Sequence, residues 1–392
     1  MERVKQIAAH FTSSSTGLAA LERKSPDDVV ITFAKRSPLT KANKGGLKDA
    51  RVDELLLEMF KHTITESKVD PAIVGDICVG TVLTPDANYH ARSAMLAAGF
   101  PESVPIQTIN RFCSSGLMAV TTIANQIRTG QIEVGLAIGV ENNGGPTQSE
   151  LISCNAASRD CVQRMGWTSE NVAVDFQVSR KDQDEFAAIS FQRAEAAQKA
   201  GYFDREIIPF TVFSKDPKTG ERSRITVTKD DGIRYGTTAE SLAKIRSAFP
   251  QWGNGTTTGG NASQITDGAA AVLLMTRRKA ESLGLPILAK HVTTAVAGVV
   301  LLPRIMGVGP AYAIPMVLKQ AGISQGDVDL YEINEAFASQ CLYTVRELGL
   351  SMDKVNVNGG AIAFGHPLGC TGARQIATGL NELERRKGKA SH

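Results

Sequence analysis

Val104-Pro105-Ile106-Gln107-Thr108-Ile109-Asn110-Arg111-Phe112-Cys113-Ser114-Ser115-Gly116 is the stretch that decides the architecture. Val104 to Ile109 reads as a strand, and a helix follows it. From Ser114 to Thr129 the apolar positions Leu117, Met118, Val120, Ile123, Ala124 and Ile127 recur at helical spacing, until Gly130 stops the run. Glu133 to Val140 reads as the next buried strand. Strand, helix and strand in close succession belong to an α/β layered fold. The turn between the first two carries a cysteine, so the same stretch also bears on chemistry.

Working outward, Val29 to Phe33 and Asp76 to Val79 read as strands, and Val52 to Ile64 and His90 to Ala98 as helices. Ala269 to Met275 is another buried strand. The second half then repeats the alternation. Strands are expected at Ile287 to Val292, Asp329 to Ile333 and Val355 to Val357, with helices at Ala311 to Ala321, Ala336 to Leu348 and Thr371 to Arg385. The halves read as internal duplicates. Between them the texture changes: polar, glycine-containing loops surround a charged helix, Arg180 to Gly201, with Asp182-Gln183-Asp184-Glu185 in its first turn, where acidic groups suit the helix dipole. The expected organisation is a leader and tether over 1–28, a first half over 29–140 with 255–277, an inserted loop domain over 141–254, and a second half over 278–392. After Arg385 only a few residues remain, so two strands of the first half have no counterpart in the second, which is expected to lack its last two strands.

The 43 basic and 40 acidic side chains nearly balance and form no basic block, which argues against a nucleic-acid partner. Cys78, Cys113, Cys154, Cys161, Cys341 and Cys370 are scattered, without the spacing of a zinc site or a disulfide framework, so a reducing compartment is expected. No apolar run approaches the roughly 20 residues of a membrane span. Near the start, Val4, Ile7, Ala8 and Phe11 share one helical stripe, followed by a Ser/Thr-rich stretch.

Four segments carry chemistry. Cys113 is expected at a helix N-terminus, where free N–H groups and the dipole favour a thiolate well below the usual thiol pKa of about 8.5; a buried structural cysteine is the alternative. In Asn358-Gly359-Gly360-Ala361-Ile362-Ala363-Phe364-Gly365-His366-Pro367-Leu368-Gly369-Cys370-Thr371-Gly372, glycines and a proline frame His366 as a rigid loop frames a base, although a lone histidine can equally be structural. In Glu332-Ile333-Asn334-Glu335-Ala336-Phe337, Asn334 either caps the following helix or positions a water against a thioester oxygen. Gly259-Gly260-Asn261-Ala262-Ser263 is either an ordinary polar turn or a small-residue ledge for an extended cofactor arm.

Taken in order, Cys-Ser-Ser-Gly, Gly-Asn-Ala-Ser, Asn-Glu-Ala-Phe and Gly-His-Pro-Leu-Gly resemble the thiolase family, in its 3-ketoacyl-CoA branch, over about 28–385. Met165-Gly166-Trp167-Thr168-Ser169-Glu170-Asn171 and Met306-Gly307-Val308-Gly309-Pro310 look like further family segments. The resemblance implies two βαβαβαββ halves in an αβαβα arrangement. It implies Cys113 as the acyl-accepting nucleophile, His366 as its proton acceptor, Asn334 as the holder of an oxyanion-hole water, and Ser263 and Met165 along coenzyme A. It also implies a homodimer or tetramer, coenzyme A thioesters as substrates, and neither metal nor permanently bound cofactor. The first residues resemble a type-2 peroxisomal targeting signal, which implies an import receptor and a peroxisomal location.

Two departures stand out. The family places a second catalytic cysteine, in a Cys-x-Gly motif, a little beyond the last helix, where this sequence ends in Lys387-Gly388-Lys389-Ala390-Ser391-His392, a run unlike the expected strand. That ending leads to the expectation of a bared strand edge, poor solubility and impaired carbon–carbon chemistry. Cys370 matches a variable position and is no substitute. Asn142-Asn143 stands where Ser-Met is usual, which leaves acyl-chain preference open. A short-chain acetyl-CoA acetyltransferase and a non-catalytic acyl-CoA-binding paralogue are the competing readings.

Overall fold

The computed structural model describes residues 17–142, 164–252, 255–299 and 303–391; the leader segment from Arg3 to Phe11, Asn143, Cys154 and Cys161 lie outside them. The first half is built on one mixed sheet. Its strands are β1 (Val29–Arg36), β2 (Thr40–Lys41), β3 (Asp76–Gly80), β4 (Ile106–Ile109), β5 (Val134–Glu141), β8 (Thr266–Thr276) and β9 (Ala289–Lys290), in the order β4-β3-β5-β8-β1-β9, with β2 beside β8. β3 runs parallel to both β4 and β5, whereas β8 is antiparallel to β5 and to β1. A separate hairpin pairs β6 (Phe210–Lys215) with β7 (Arg222–Val227).

Side chains of a strand alternate between faces, so this sheet feeds two cores. On one face Ile77 and Val79 of β3, Leu136 and Ile138 of β5, and Ala271 and Leu273 of β8 meet α1 (Val52–Ser67) and α2 (Ala87–Ala98). α1 covers them with Leu55, Leu56, Met59 and Phe60, all buried at helical spacing. Truncating Phe60 to Ala would cost about 3–5 kcal/mol. On the other face Cys78, Ala137, Val272 and Leu274 meet α3 (Ser115–Arg128) and α8 (Thr371–Arg386). These two helices come from opposite halves of the chain and form the middle layer. The strand and helix expectations of the first half hold to within a few residues.

The second half also holds α6 (Gly309–Ala321) and α7 (Ala338–Glu347). Its strands are shorter than the sequence suggests. Leu330 bridges Ser391 and Tyr331 bridges Val355, both parallel, as β3 lies parallel between β5 and β4. Among the described residues this sheet goes no further than these bridges. Ala390-Ser391 takes a strand position despite its unpromising side chains: the Ala390 carbonyl accepts from Asp329 and Leu330, and the Asp329 carboxylate accepts from the Lys389 and Ala390 amides at 2.6 and 3.1 Å. Backbone groups offered by the neighbouring edge, not local propensity, decide that pairing. The expected strand Ile287 to Val292 is reduced to β9, which joins the first sheet by pairing with β1.

The region between the halves contributes to both cores. α5 (Arg180–Lys199) inserts Phe186, Ala187, Phe191 and Ala194 into one, and β6 inserts Phe210 and Val212 into the other. Fully buried Arg36 of β1 ties it down, pairing with Glu206 at 2.6 Å and with Asp230 at 2.8 Å. In the first turn of α5, Asp182 completes a capping box with Ser179, while Asp184 turns inward to Arg180 and Asn261.

Candidate active site

Cys113 lies in the turn between β4 and α3. The helix begins at Ser115 with Ser114 as its N-cap, so the cysteine sits just outside the first turn. Asn110 shapes the turn, its side-chain oxygen accepting from the Phe112 amide at 2.9 Å while its amide donates to the Val82 carbonyl at 3.1 Å. Ser115 Oγ donates to the Phe112 carbonyl at 2.7 Å and accepts from the Arg111 amide at 2.9 Å. Phe112 itself is left-handed, φ 48°, and 70% exposed, a conformation that costs about 1–2 kcal/mol for an L-residue.

His366 lies in the matching turn before α8 and is 5% exposed. Gly365 has φ 117°, and a Cβ there would run into Thr266, so this position before the histidine requires glycine. The His366 amide donates to the Gln264 carbonyl at 3.0 Å. Its ring nitrogens are both engaged: Nδ1 lies 2.6 Å from Thr371 Oγ1, and Nε2 lies 3.2 Å from Asn334 Nδ2. Asn334 is thus no helix cap, since α7 begins only at Ala338 and its preceding residue is Phe337. Its side-chain oxygen is enclosed without a protein partner, which fits a group that orders a water.

The two turns meet through glycines. A Cβ on Gly116 would lie 2.6 Å from the Gly369 carbonyl and 2.9 Å from the Ala373 amide. A Cβ on Gly139 would lie 2.5 Å from that same carbonyl, and one on Gly372 would run into the Leu117 amide. Nucleophile turn and histidine turn therefore touch backbone to backbone, with Cys113 and His366 each three residues before a contacting glycine.

Charge within this site differs from the sequence expectation. Burial pushes the Cys113 thiol up to about 11, against a lowering backbone hydrogen bond and with a smaller raising contribution from Glu141. Burial, aided by the Arg374 guanidinium, pushes the His366 imidazole down to about 3. Both shifts favour the uncharged forms, thiol and imidazole, against the thiolate that a helix N-terminus favours. Cys113 is half-buried and lies outside the first helical turn, where desolvation outweighs the dipole. Cys370 is buried at the start of α8, and burial pushes its thiol up to about 12.

Ser263 lies beside the Asn334 segment, its amide donating to the Ala336 carbonyl at 3.0 Å while Ala262 bridges Phe337. Met165 is 40% exposed at the start of α4 (Met165–Asp175). That helix is tied to Thr256 and Thr257 through Glu170 and to Gly307 through Thr168. Asn142 donates to the Ala50 carbonyl at 2.7 Å.

Four residues escaped the sequence reading. Glu141, at the end of apolar β5, accepts from the amides of Val82, Leu83 and Gly369 at 2.9–3.0 Å and from Thr81 Oγ1 at 3.2 Å, joining the loop after β3 to the histidine turn. Glu335 accepts from Ser190, Asn356 and the Ile362 amide. Gln264 donates to the carbonyls of Gly232 and Ala363, each at 2.8 Å. Thr371 is the fourth. The first two were visible only as acidic residues in apolar surroundings. Among the described residues no group of three or more His, Cys, Asp or Glu could hold a metal ion, and no helix is long and apolar enough to cross a membrane.

Comparison with known proteins shows the family and the fold. The family descriptions "Thiolase, N-terminal domain" and "Thiolase, C-terminal domain" match residues 29–278 and 285–391. The chain is 51% identical to the peroxisomal 3-ketoacyl-CoA thiolase of Yarrowia lipolytica, over 98% of this chain and 94% of that protein. It is 50% identical to the human peroxisomal 3-ketoacyl-CoA thiolase, over 100% and 95%. The dimeric peroxisomal thiolase of Saccharomyces cerevisiae superimposes with a TM-score of 0.85 at 47% identity, covering 93% of each chain. The acetyl-CoA acetyltransferase of Bacillus anthracis does so with a TM-score of 0.82 at 37% identity, covering 93% of this chain and 94% of that one.

Proposed function

Since the chain belongs to the thiolase family, we propose that it cleaves 3-ketoacyl-CoA with coenzyme A, or runs the reverse condensation, through an acyl-cysteine at Cys113. The observation that carries this reading is the backbone contact between the turn of Cys113 and the turn of His366, with Asn334 on the imidazole. The Cys113 sulfur bonds to the C3 carbon as its proton passes to His366. The C2–C3 electron pair then leaves with acetyl-CoA as an enolate, and the shortened acyl group stays on sulfur as a thioester. The enolate takes back at C2 the proton that His366 received, since Cys370 is buried with its thiol pushed up to about 12. Coenzyme A finally takes the acyl group, and Cys113 regains a proton. His366 and a water held by Asn334 bind the thioester oxygen where negative charge develops.

Coenzyme A is a substrate here rather than a resident cofactor. Ser263 and Met165 lie along it, and the region between the halves holds most of it. The protein works as a homodimer in the peroxisome, reached through an import receptor. The dimeric yeast relative, the names of the peroxisomal relatives and the basic, aliphatic, His10-containing start support this.

Thiolysis of a chain-length series of 3-ketoacyl-CoA substrates, by wild type and Cys113→Ala, tests the proposal. Wild type should release acetyl-CoA while the variant forms no acyl-enzyme. Equal rates would dispose of the nucleophile, and activity confined to acetoacetyl-CoA would favour the short-chain acetyltransferase.

A further inference from the structure

Thr371 is the first residue of α8, and its hydroxyl has one hydrogen to give. That hydrogen goes to the Pro367 carbonyl at 3.0 Å, the back-bond to residue i−4 that threonine makes in helices. The hydroxyl oxygen is then an acceptor for whatever else approaches it, and His366 Nδ1 does so at 2.6 Å. At the other side of the ring the Asn334 amide nitrogen, which can only donate, faces Nε2 at 3.2 Å. Two contacts name the same tautomer, with hydrogen on Nδ1 and on Nε2 an electron pair that accepts from Asn334. The opposite tautomer requires the Thr371 hydroxyl to turn from Pro367 and the Asn334 amide to flip.

The first half contains the same device. Ser115 is the first residue of α3 as Thr371 is of α8, and its hydroxyl also donates back into the preceding turn, to the Phe112 carbonyl. There the oxygen accepts from a main-chain amide, that of Arg111. In the second half the equivalent oxygen accepts from an imidazole. One hydroxyl orders a turn, and its duplicate orders a base.

We propose that Thr371 is a positioning residue that holds His366 in the Nδ1–H tautomer, so that Nε2 stays unprotonated and can take the thiol proton of Cys113 in exchange for the Asn334 hydrogen bond. This rests on the functional reading above, and its test does not require turnover. Uniformly 15N-histidine-labelled protein, with His366→Asn to assign the signal, should show His366 Nδ1 as protonated and Nε2 as unprotonated. Thr371→Val keeps the shape and removes the oxygen. It should convert His366 to the opposite tautomer or a mixture and lower kcat by about 10²-fold with little change in KM. Thr371→Ser should restore both the spectrum and the rate. If Thr371→Val does not fold, Thr371→Ala against Thr371→Ser gives the same comparison. An Nε2–H signal in the wild type, or an unchanged spectrum and rate in the hydroxyl-free variant, overturns the proposal. A wild type with the expected spectrum but no acyl-enzyme would instead overturn the functional reading alone.

Discussion

Gly116→Ala is the sharpest probe of how the two turns meet. The added Cβ would stand 2.6 Å from the Gly369 carbonyl oxygen and 2.9 Å from the Ala373 amide, where ordinary contact begins at 3.4 Å. Both opposing atoms are backbone, so no side chain can swing aside. Relief requires α3 and α8 to part by about 0.8 Å, the shortfall on the closer contact. Because Cys113 rides on the turn before one helix and His366 on the turn before the other, that parting widens the catalytic pair. A misplacement of ~1 Å costs on the order of 10²-fold in rate, and overpacking costs about 1–3 kcal/mol in stability. The assay is steady-state thiolysis of acetoacetyl-CoA beside urea denaturation. Gly298→Ala serves as control, because a Cβ there meets nothing within 4 Å. The expected outcome is a large fall in kcat with KM nearly unchanged. Gly116→Ala with the rate and the stability of the control would refute the backbone contact and the geometry built on it.

Three further outcomes follow from the same site. His366 titrates near 3 when folded against 6.5 when free, so below pH 6.5 the unfolded chain binds the extra proton and stability falls as pH falls. Between pH 7 and pH 5, wild type should lose roughly 2 kcal/mol more than His366→Asn in urea melts; equal losses would place the imidazole in solvent. With its thiol near 11, Cys113 should be alkylated by iodoacetamide at a rate that rises about tenfold per pH unit from pH 7 to 9, read on its own peptide by mass spectrometry. A plateau near neutrality would mean a preformed thiolate. Glu141→Ala leaves one buried and two part-buried amides without an acceptor and should destabilise the protein by about 2 kcal/mol or more, whereas a loss under about 0.5 kcal/mol would mean that water replaces the carboxylate.

The first half could be read from sequence because its signals are local. Apolar periodicity in Ser115–Arg128, β5 and β8 coincides with burial in a complete sheet. The second half was harder: Leu330, Tyr331 and Val355 pair through backbone groups whose partners lie far along the chain, and Ala390-Ser391 has no side-chain signature at all. At the site, residue types and turn positions pointed to Cys113, His366 and Asn334, but not to their charge states. Desolvation depends on what surrounds an atom, and a neighbour such as Glu141 reaches the site from the end of another strand. Glu141, Glu335 and Gln264 act by holding main-chain amides or carbonyls, a role that leaves no pattern in sequence.

The nucleophile and its base belong to different copies of one repeated unit, and the seam between the copies runs between them. Neither copy severed from the other would contain a reaction centre, and activity would return only when the two glycine-faced helix starts met again.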